Sequence, residues 1–296
     1  MIEVQGLTKR FGKTVAVDDL SFRVRPGAVT GFLGPNGAGK TTTLRILLGL
    51  VHPTAGTATI AGRRYADLDA PLHRVGAAVE AAGFHPGRSG RDHLRGVALA
   101  ARISSTRVDE VLADVDLVAQ ARRRVRTYSL GMRQRLLLAQ ALLGDPEVLL
   151  LDEPANGLDP AGMRWLRDLL RRFAEDGRTV LVSSHVLAEV EQVADEVVIL
   201  HRGRFVTHAP VDAVVAGAAR EVRVRSPDAA RLRDTLAAEG IELTMGGDGT
   251  LRVLGTTAAR VGELAAEHGI VLHELVGARA TLEDVFLELT AGAGEK

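Results

Sequence analysis

Residues Val29-Thr30-Gly31-Phe32-Leu33-Gly34-Pro35-Asn36-Gly37-Ala38-Gly39-Lys40-Thr41-Thr42 decide how this chain is read. An apolar strand, Val29 to Leu33, runs through a glycine-rich loop into an apolar helix, Lys40 to Leu48, with Gly49 where a helix ends on a left-handed residue. The spacing G-x-x-x-x-G-K-T is that of a loop that cradles phosphate groups. Gly34, Gly37 and Gly39 put no Cβ in the way, so the loop, which also holds Pro35, Asn36 and Ala38, curls the N–H groups of its non-proline residues around anionic oxygens. The helix that follows adds its positive N-terminal end. Lys40 supplies a compact charge, and Thr41, followed by Thr42, supplies a hydroxyl suited to Mg²⁺. Lysine occurs only at positions 9, 13, 40 and 296 of an otherwise arginine-rich chain, so an ammonium here departs from the background. A glycine turn that merely opens a helix is the competing reading, and the strand before it and helix after it speak against that.

Working outward, Val148-Leu149-Leu150-Leu151-Asp152-Glu153-Pro154 is a continuous apolar run ending in two acids and a proline. It suits a central parallel strand, which delivers its carboxylates to the sheet edge where ligands of doubly wound folds bind. Solvated acids at a strand end are the plainer alternative; beside a phosphate loop, Asp152 reads as a metal ligand and Glu153 as the group that polarises an attacking water. Strands at Ile2 to Leu7, Leu20 to Val24, Thr179 to Ser183 and Glu196 to His201, with helices at Ala161 to Glu175 and Val186 to Ala194, complete an α/β pattern. A mostly helical stretch lies between, at about residues 85–143. After Val211 the order becomes β-α-β-β-α-β, with helices at about Asp228 to Glu239 and Thr257 to His268, strands at Ile241 to Met245 and Ile270 to Leu275, and a turn at Gly246-Gly247-Asp248-Gly249. That order predicts a small ferredoxin-like α+β domain at 217–296 behind a first domain at 1–216. A last helix begins at Thr281, with Asp284 placed to complete a capping box and Leu282, Val285, Phe286 and Leu289 on one face.

The chain has 296 residues, 46 % hydrophobic and 25 % charged, with 37 basic against 37 acidic side chains. Zero formal charge and 3 % aromatic residues argue against a dedicated nucleic-acid binder. Cysteine is absent, which removes disulfides and thiolate metal sites. Neither a secretory signal nor an apolar stretch of membrane-spanning length is expected, so any work at a membrane needs another chain to span it.

Together these motifs resemble the ATP-binding subunit of an ABC transporter, over nearly the whole length. The resemblance implies a P-loop NTPase fold, the ABC ATPase cassette, with an α/β core, an antiparallel β-subdomain and a helical subdomain. Tyr128-Ser129-Leu130-Gly131-Met132 is similar to the family's signature motif, with Leu130 and Met132 in place of the commoner Gly and Gln. There Ser129 and Gly131 cap the nucleotide bound by a second cassette; read without the family, Ser129 is an ordinary helix N-cap. Ala155-Asn156-Gly157-Leu158-Asp159 resembles the D-loop between cassettes, and His185 matches the switch histidine at the γ-phosphate. Phe11 falls where family members place a ring against adenine, and a core phenylalanine at a strand end is the equal alternative. Glu80 falls where the family has a glutamine that contacts Mg²⁺, a change similar to that in exporters of bacitracin and lantibiotics.

The implied function is ATP hydrolysis with Mg²⁺, driving drug or peptide-antibiotic export through an integral-membrane permease on a separate chain. The implied catalytic residues are Glu153, His185 and Lys40. A second copy of the ATPase is expected head to tail, the pair sitting on the cytoplasmic face of the cell membrane through the permease, with no nucleic acid as partner. A soluble ABC-type ATPase acting on nucleic acid or ribosomes, and a nucleotide sensor that does not hydrolyse, are the alternatives. The first lacks a basic surface or tandem cassettes, and the second sits poorly with Lys40, Asp152, Glu153 and His185. The run Arg122-Arg123-Arg124-Val125-Arg126 reads as a solvated basic face, with docking to acidic groups or lipid headgroups as the alternative. The apolar stripe of the last helix reads as packing for the small domain.

Overall fold

A computed structural model describes residues 1–79, 83–216, 221–246, 250–278 and 281–291. The chain separates into two units, Met1–Val211 and the part from Asp212 onward. The first contains β1 (Ile2–Phe11), β2 (Thr14–Val24), β3 (Ala28–Leu33), α1 (Lys40–Leu47), β4 (Ala55–Ile60), α2 (Pro71–Arg74), β5 (Val75–Ala78), α3 (Gly90–Ala100), α4 (Ser105–Asp114), α5 (Leu130–Leu142), β6 (Val148–Asp152), α6 (Pro160–Glu175), β7 (Thr179–Ser184), α7 (Leu187–Glu191), β8 (Glu196–His201) and β9 (Arg204–Pro210).

Six strands form the central sheet in the order β5-β6-β7-β3-β8-β9, parallel except for β9. Alternation along the apolar strands explains why both faces are covered. Leu150 and Leu181 point to a core shared with α1 and with the antiparallel sheet β2-β1-β4, through Leu44, Ile2, Leu7 and Leu20. Leu149, Leu151, Val180 and Val182 point the other way, against Leu136 of α5 and Leu166 and Leu170 of α6. Each leucine buried in this way contributes about 1.5–3 kcal/mol. Helix α6 buries Leu166, Leu169, Leu170, Phe173 and Ala174, one stripe at helical spacing, and starts on an Asp159 cap with Pro160 in its first turn. Ser89, Ser104 and Ser129 cap α3, α4 and α5.

Several expected elements differ. Strands β4 and β9 carry no clean alternation, and neither was expected from the sequence; β4 is exposed over its first half and β9 is half-buried at a sheet edge. Helix α7 stops at Glu191 rather than Ala194, because the chain turns back to start β8.

In the second unit, after α8 (Val211–Ala216), lie β10 (Glu221–Arg225), α9 (Ala229–Ala238), β11 (Leu243–Met245), β12 (Leu251–Leu254), α10 (Ala258–Glu267), β13 (Glu274–Ala278) and α11 (Leu282–Ala291). Its sheet runs β11-β12-β10-β13 with every pair antiparallel, so each helix joins two strands that flank a third. Val222, Val224, Leu251 and Val253 pack on Leu232, Leu236, Val261 and Leu264 of α9 and α10. The strand expected at Ile270 to Leu275 starts only at Glu274: Ile270 is buried and its N–H closes α10 onto Ala265, which delays the strand. Thr281 and Asp284 form the capping box, N–H to Asp284 Oδ2 at 2.8 Å and N–H of Asp284 to Thr281 Oγ1 at 3.3 Å. Gly247, Asp248 and Gly249 of the expected turn, and the side chain of Leu289, lie outside the described residues.

The seat of α5 on β5 depends on Gly76, where a Cβ would lie 2.1 Å from the Ala141 carbonyl oxygen. Gly76→Ala is expected to lower the unfolding free energy by about 2–3 kcal/mol in urea titrations followed by circular dichroism.

Candidate functional site

Strands β6, β7 and β3 are neighbours, and their register decides the site. Ser183 of β7 pairs with Phe32 of β3 on one side and Asp152 of β6 on the other. The phosphate loop after β3, the acids ending β6 and the histidine after β7 therefore emerge side by side at one sheet edge.

The glycine loop is held open by close backbone approaches. Gly39, at φ +98°, caps α1, and a Cβ there would lie 2.5 Å from the Ala16 carbonyl oxygen. No side chain caps the first turn of α1, which leaves its N–H groups for a ligand. Pro35, Asn36 and Gly37 are exposed, while Gly34, Ala38 and Gly39 are buried; Thr41 and Thr42 are half-buried. Lys40 is buried with its Nζ donating to the Gly34 carbonyl at 2.6 Å and lying 3.6 Å from Glu153 Oε1.

Thr41 Oγ1 donates to Asp152 Oδ2 at 2.7 Å, so hydroxyl and carboxylate face the same point. Ser183 Oγ donates to the other Asp152 oxygen, and the Glu153 N–H is shared between Ser183 Oγ at 3.1 Å and the Ser183 carbonyl at 3.2 Å. Glu153 has left-handed backbone, φ +49°, directly before Pro154, a strained arrangement for a non-glycine residue. The kink aims its carboxylate away from Asp152: Oε2 meets His185 Nδ1 at 2.8 Å. Glu189, in the first turn of α7, has its carboxyl held above the usual range, first by burial and then by Glu153, with His185 opposing.

Thus Gly34 to Thr42, Asp152, Glu153 and His185 come together. Ser129 caps α5, accepting the Met132 N–H at 3.2 Å; it is exposed and Gly131 is half-buried, and neither has a hydrogen bond to that cluster among the described residues. Asp159 accepts the Gly162 N–H at 2.8 Å as the cap of α6. Phe11 is 50 % exposed under the Lys9 ammonium, 4.8 Å from its ring centre, which excludes the core alternative. Glu80 lies outside the described residues. The four arginines of the 122–126 run are exposed around a buried Val125. Ser183 was missed from sequence; the serines that close the apolar run Val180 to Val182 were the available signal.

A sequence model described as ABC transporter matches residues 17–156, and another, described as a domain of unknown function (DUF8746), matches residues 219–283. The chain is 36 % identical over 301 residues to the bacitracin transport ATP-binding protein BcrA of Bacillus licheniformis, across 99 % of this chain and 98 % of that protein. With the lantibiotic transport ATP-binding protein SrtF of Streptococcus pyogenes it shares 35 % identity over 212 residues, 72 % of this chain and 92 % of that one. A solved ATP-binding subunit of an ABC transporter matches with a TM-score of 0.67 at 29 % identity, covering 74 % of this chain and 95 % of its own. Fold and site together define a nucleotide-binding ATPase of the cassette type. The chain belongs to the ATP-binding subunits of ABC transporters and is an ATPase of that family. Among the described residues no helix is long and apolar enough to cross a membrane.

Ser183→Ala removes the hydroxyl that steadies both acids. It is expected to lower kcat for phosphate release about tenfold while leaving ATP affinity by calorimetry unchanged.

Proposed function

We propose that this chain binds Mg²⁺–ATP in the Gly34–Thr42 loop and hydrolyses it with Glu153, in a head-to-tail dimer that drives a separate membrane permease. The observation that carries the reading is the convergence of Lys40, Thr41, Asp152, Glu153 and His185 at the ends of three adjacent strands. Backbone N–H groups of the loop and the Lys40 ammonium hold the β- and γ-phosphates, and Phe11, exposed at the end of β1, offers a ring to the adenine.

The donor set fits Mg²⁺. One hydroxyl and one carboxylate converge from Thr41 and Asp152, and the described residues form no closed cage of protein ligands. That suits an ion that takes its other oxygens from phosphates and water. When bound, the ion neutralises charge developing on the phosphate oxygens. Glu153 accepts a proton from the attacking water, its free reach set by the kinked backbone. His185 Nδ1 meets the Glu153 carboxylate, which orients the ring and leaves Nε2 available to the γ-phosphate.

Ser129, exposed, caps α5 and Gly131 lies in its first turn, so the N-terminal donors of the helix suit a nucleotide held by a second copy rather than by this one. Asp159 caps α6 beside them and belongs to the same dimer face. The permease places the pair at the inner face of the membrane. Cargo of the drug or peptide-antibiotic class follows from the likeness to the bacitracin and lantibiotic transport proteins, an argument by analogy.

Two variants test the reading. Lys40→Ala is expected to abolish the heat of Mg²⁺–ATP association in calorimetry; a wild-type isotherm overturns the loop's role. Glu153→Gln is expected to cut phosphate release by about 10²–10⁴-fold and to trap an ATP-bound dimer on sizing columns, and wild-type turnover overturns its role as base.

A further inference from the structure

The two positions where this chain departs from its family's signature pattern are Leu130 and Met132, and Leu130 is seated on a specific partner. Gly157, in the loop that leaves Glu153, has φ +77°, and a Cβ there would lie 2.5 Å from Leu130 Cγ and 2.6 Å from Cδ2. The reverse approach is equally close: a Cβ on Gly131 would lie 2.7 Å from the Gly157 carbonyl oxygen. Leu130 therefore covers the bare backbone of Gly157 as a knob covers a hole, while the rest of its side chain, 59 % exposed, projects beside Ser129.

Both partners are stiff. From Glu153 the loop advances by two consecutive turns, Asn156 N–H to the Glu153 carbonyl and Leu158 N–H to that of Ala155, and then enters the capped start of α6. Further along, α5 and α6 meet again: the Arg135 guanidinium lies 5.3 Å from the centre of the Trp165 ring. Arg135 Nη1 donates to the Val115 carbonyl and Trp165 Nε1 to that of Asp114, which ties both helices to the end of α4. Glu153 and Ser129 are thereby joined by a continuous run of packed, hydrogen-bonded contacts.

We propose that Leu130, through its seat on Gly157, is a positioning residue that couples the nucleotide site containing Glu153 to the one capped by Ser129. The proposal rests on the head-to-tail dimer, in which those are the two different sites of one assembly. ATP at one site then raises affinity at the other, and the coupling passes within each chain.

The test uses the full chain and measures ATPase rate against ATP concentration for the wild type, Leu130→Ala, which removes the knob, and Leu130→Met, which keeps its volume. The expected wild-type Hill coefficient is about 2, falling to about 1 in Leu130→Ala with half-saturating ATP raised about fivefold, and restored in Leu130→Met. Calorimetric ATP binding to the monomer and the urea unfolding midpoint are expected to be the same in all three, the midpoint being the readout that a merely structural defect at the helix start would move. A cooperative wild type with an equally cooperative Leu130→Ala overturns the coupling role and leaves the dimer standing. A Leu130→Met variant as defective as Leu130→Ala also overturns it. A wild type that stays non-cooperative, with no ATP-dependent dimer of Glu153→Gln, removes the dimer and this inference together.

Discussion

The parallel pairing of β3, β7 and β6 is the constraint on which the rest of the molecule depends. Because Ser183 stands level with both Phe32 and Asp152, one hydroxyl in the middle strand reaches the acid of the next strand and the N–H of Glu153. A register slip of one residue would turn that hydroxyl to the opposite face and separate the acids from the glycine loop. The apolar cores on both sides of the sheet are what make such a slip costly, since it would also carry Leu149 to Leu151 onto the wrong faces.

Around this frame the molecule tolerates local strain. Glu153 keeps a left-handed backbone before a proline, and Lys40 keeps a buried ammonium 3.6 Å from a carboxylate. Neither is what the residue would choose in isolation. Each is over-determined by neighbours: the Ser183 bonds fix the Glu153 N–H, and the Gly34 carbonyl accepts a hydrogen bond from the Lys40 ammonium. Strain of this kind clusters where charge must be aimed at a substrate.

The helical segment and the loop after β6 extend the same frame outward. Serine and aspartate caps set the starts of α5 and α6, and glycine backbones at 131 and 157 allow those starts to touch. A short covalent and packed route thus joins Glu153 to the start of α5. The second unit is built on different lines, an antiparallel sheet with two helices over one apolar core.

What the sequence determined by itself was local. The glycine loop, the apolar run into Asp152 and Glu153, the serine before α5 and the Thr281–Asp284 box are each written in neighbouring residues, because steric freedom, strand burial and capping act over a few positions. Edge strands β4 and β9 left little mark, since their half-exposed positions need no alternation. Tertiary structure alone decided that Ser183 lies between Asp152 and Phe32, that His185 meets Glu153, and that Leu130 lies on Gly157. Those pairs are 27 to 32 residues apart or farther in the chain, and strand order and close packing, which no local pattern encodes, bring them together.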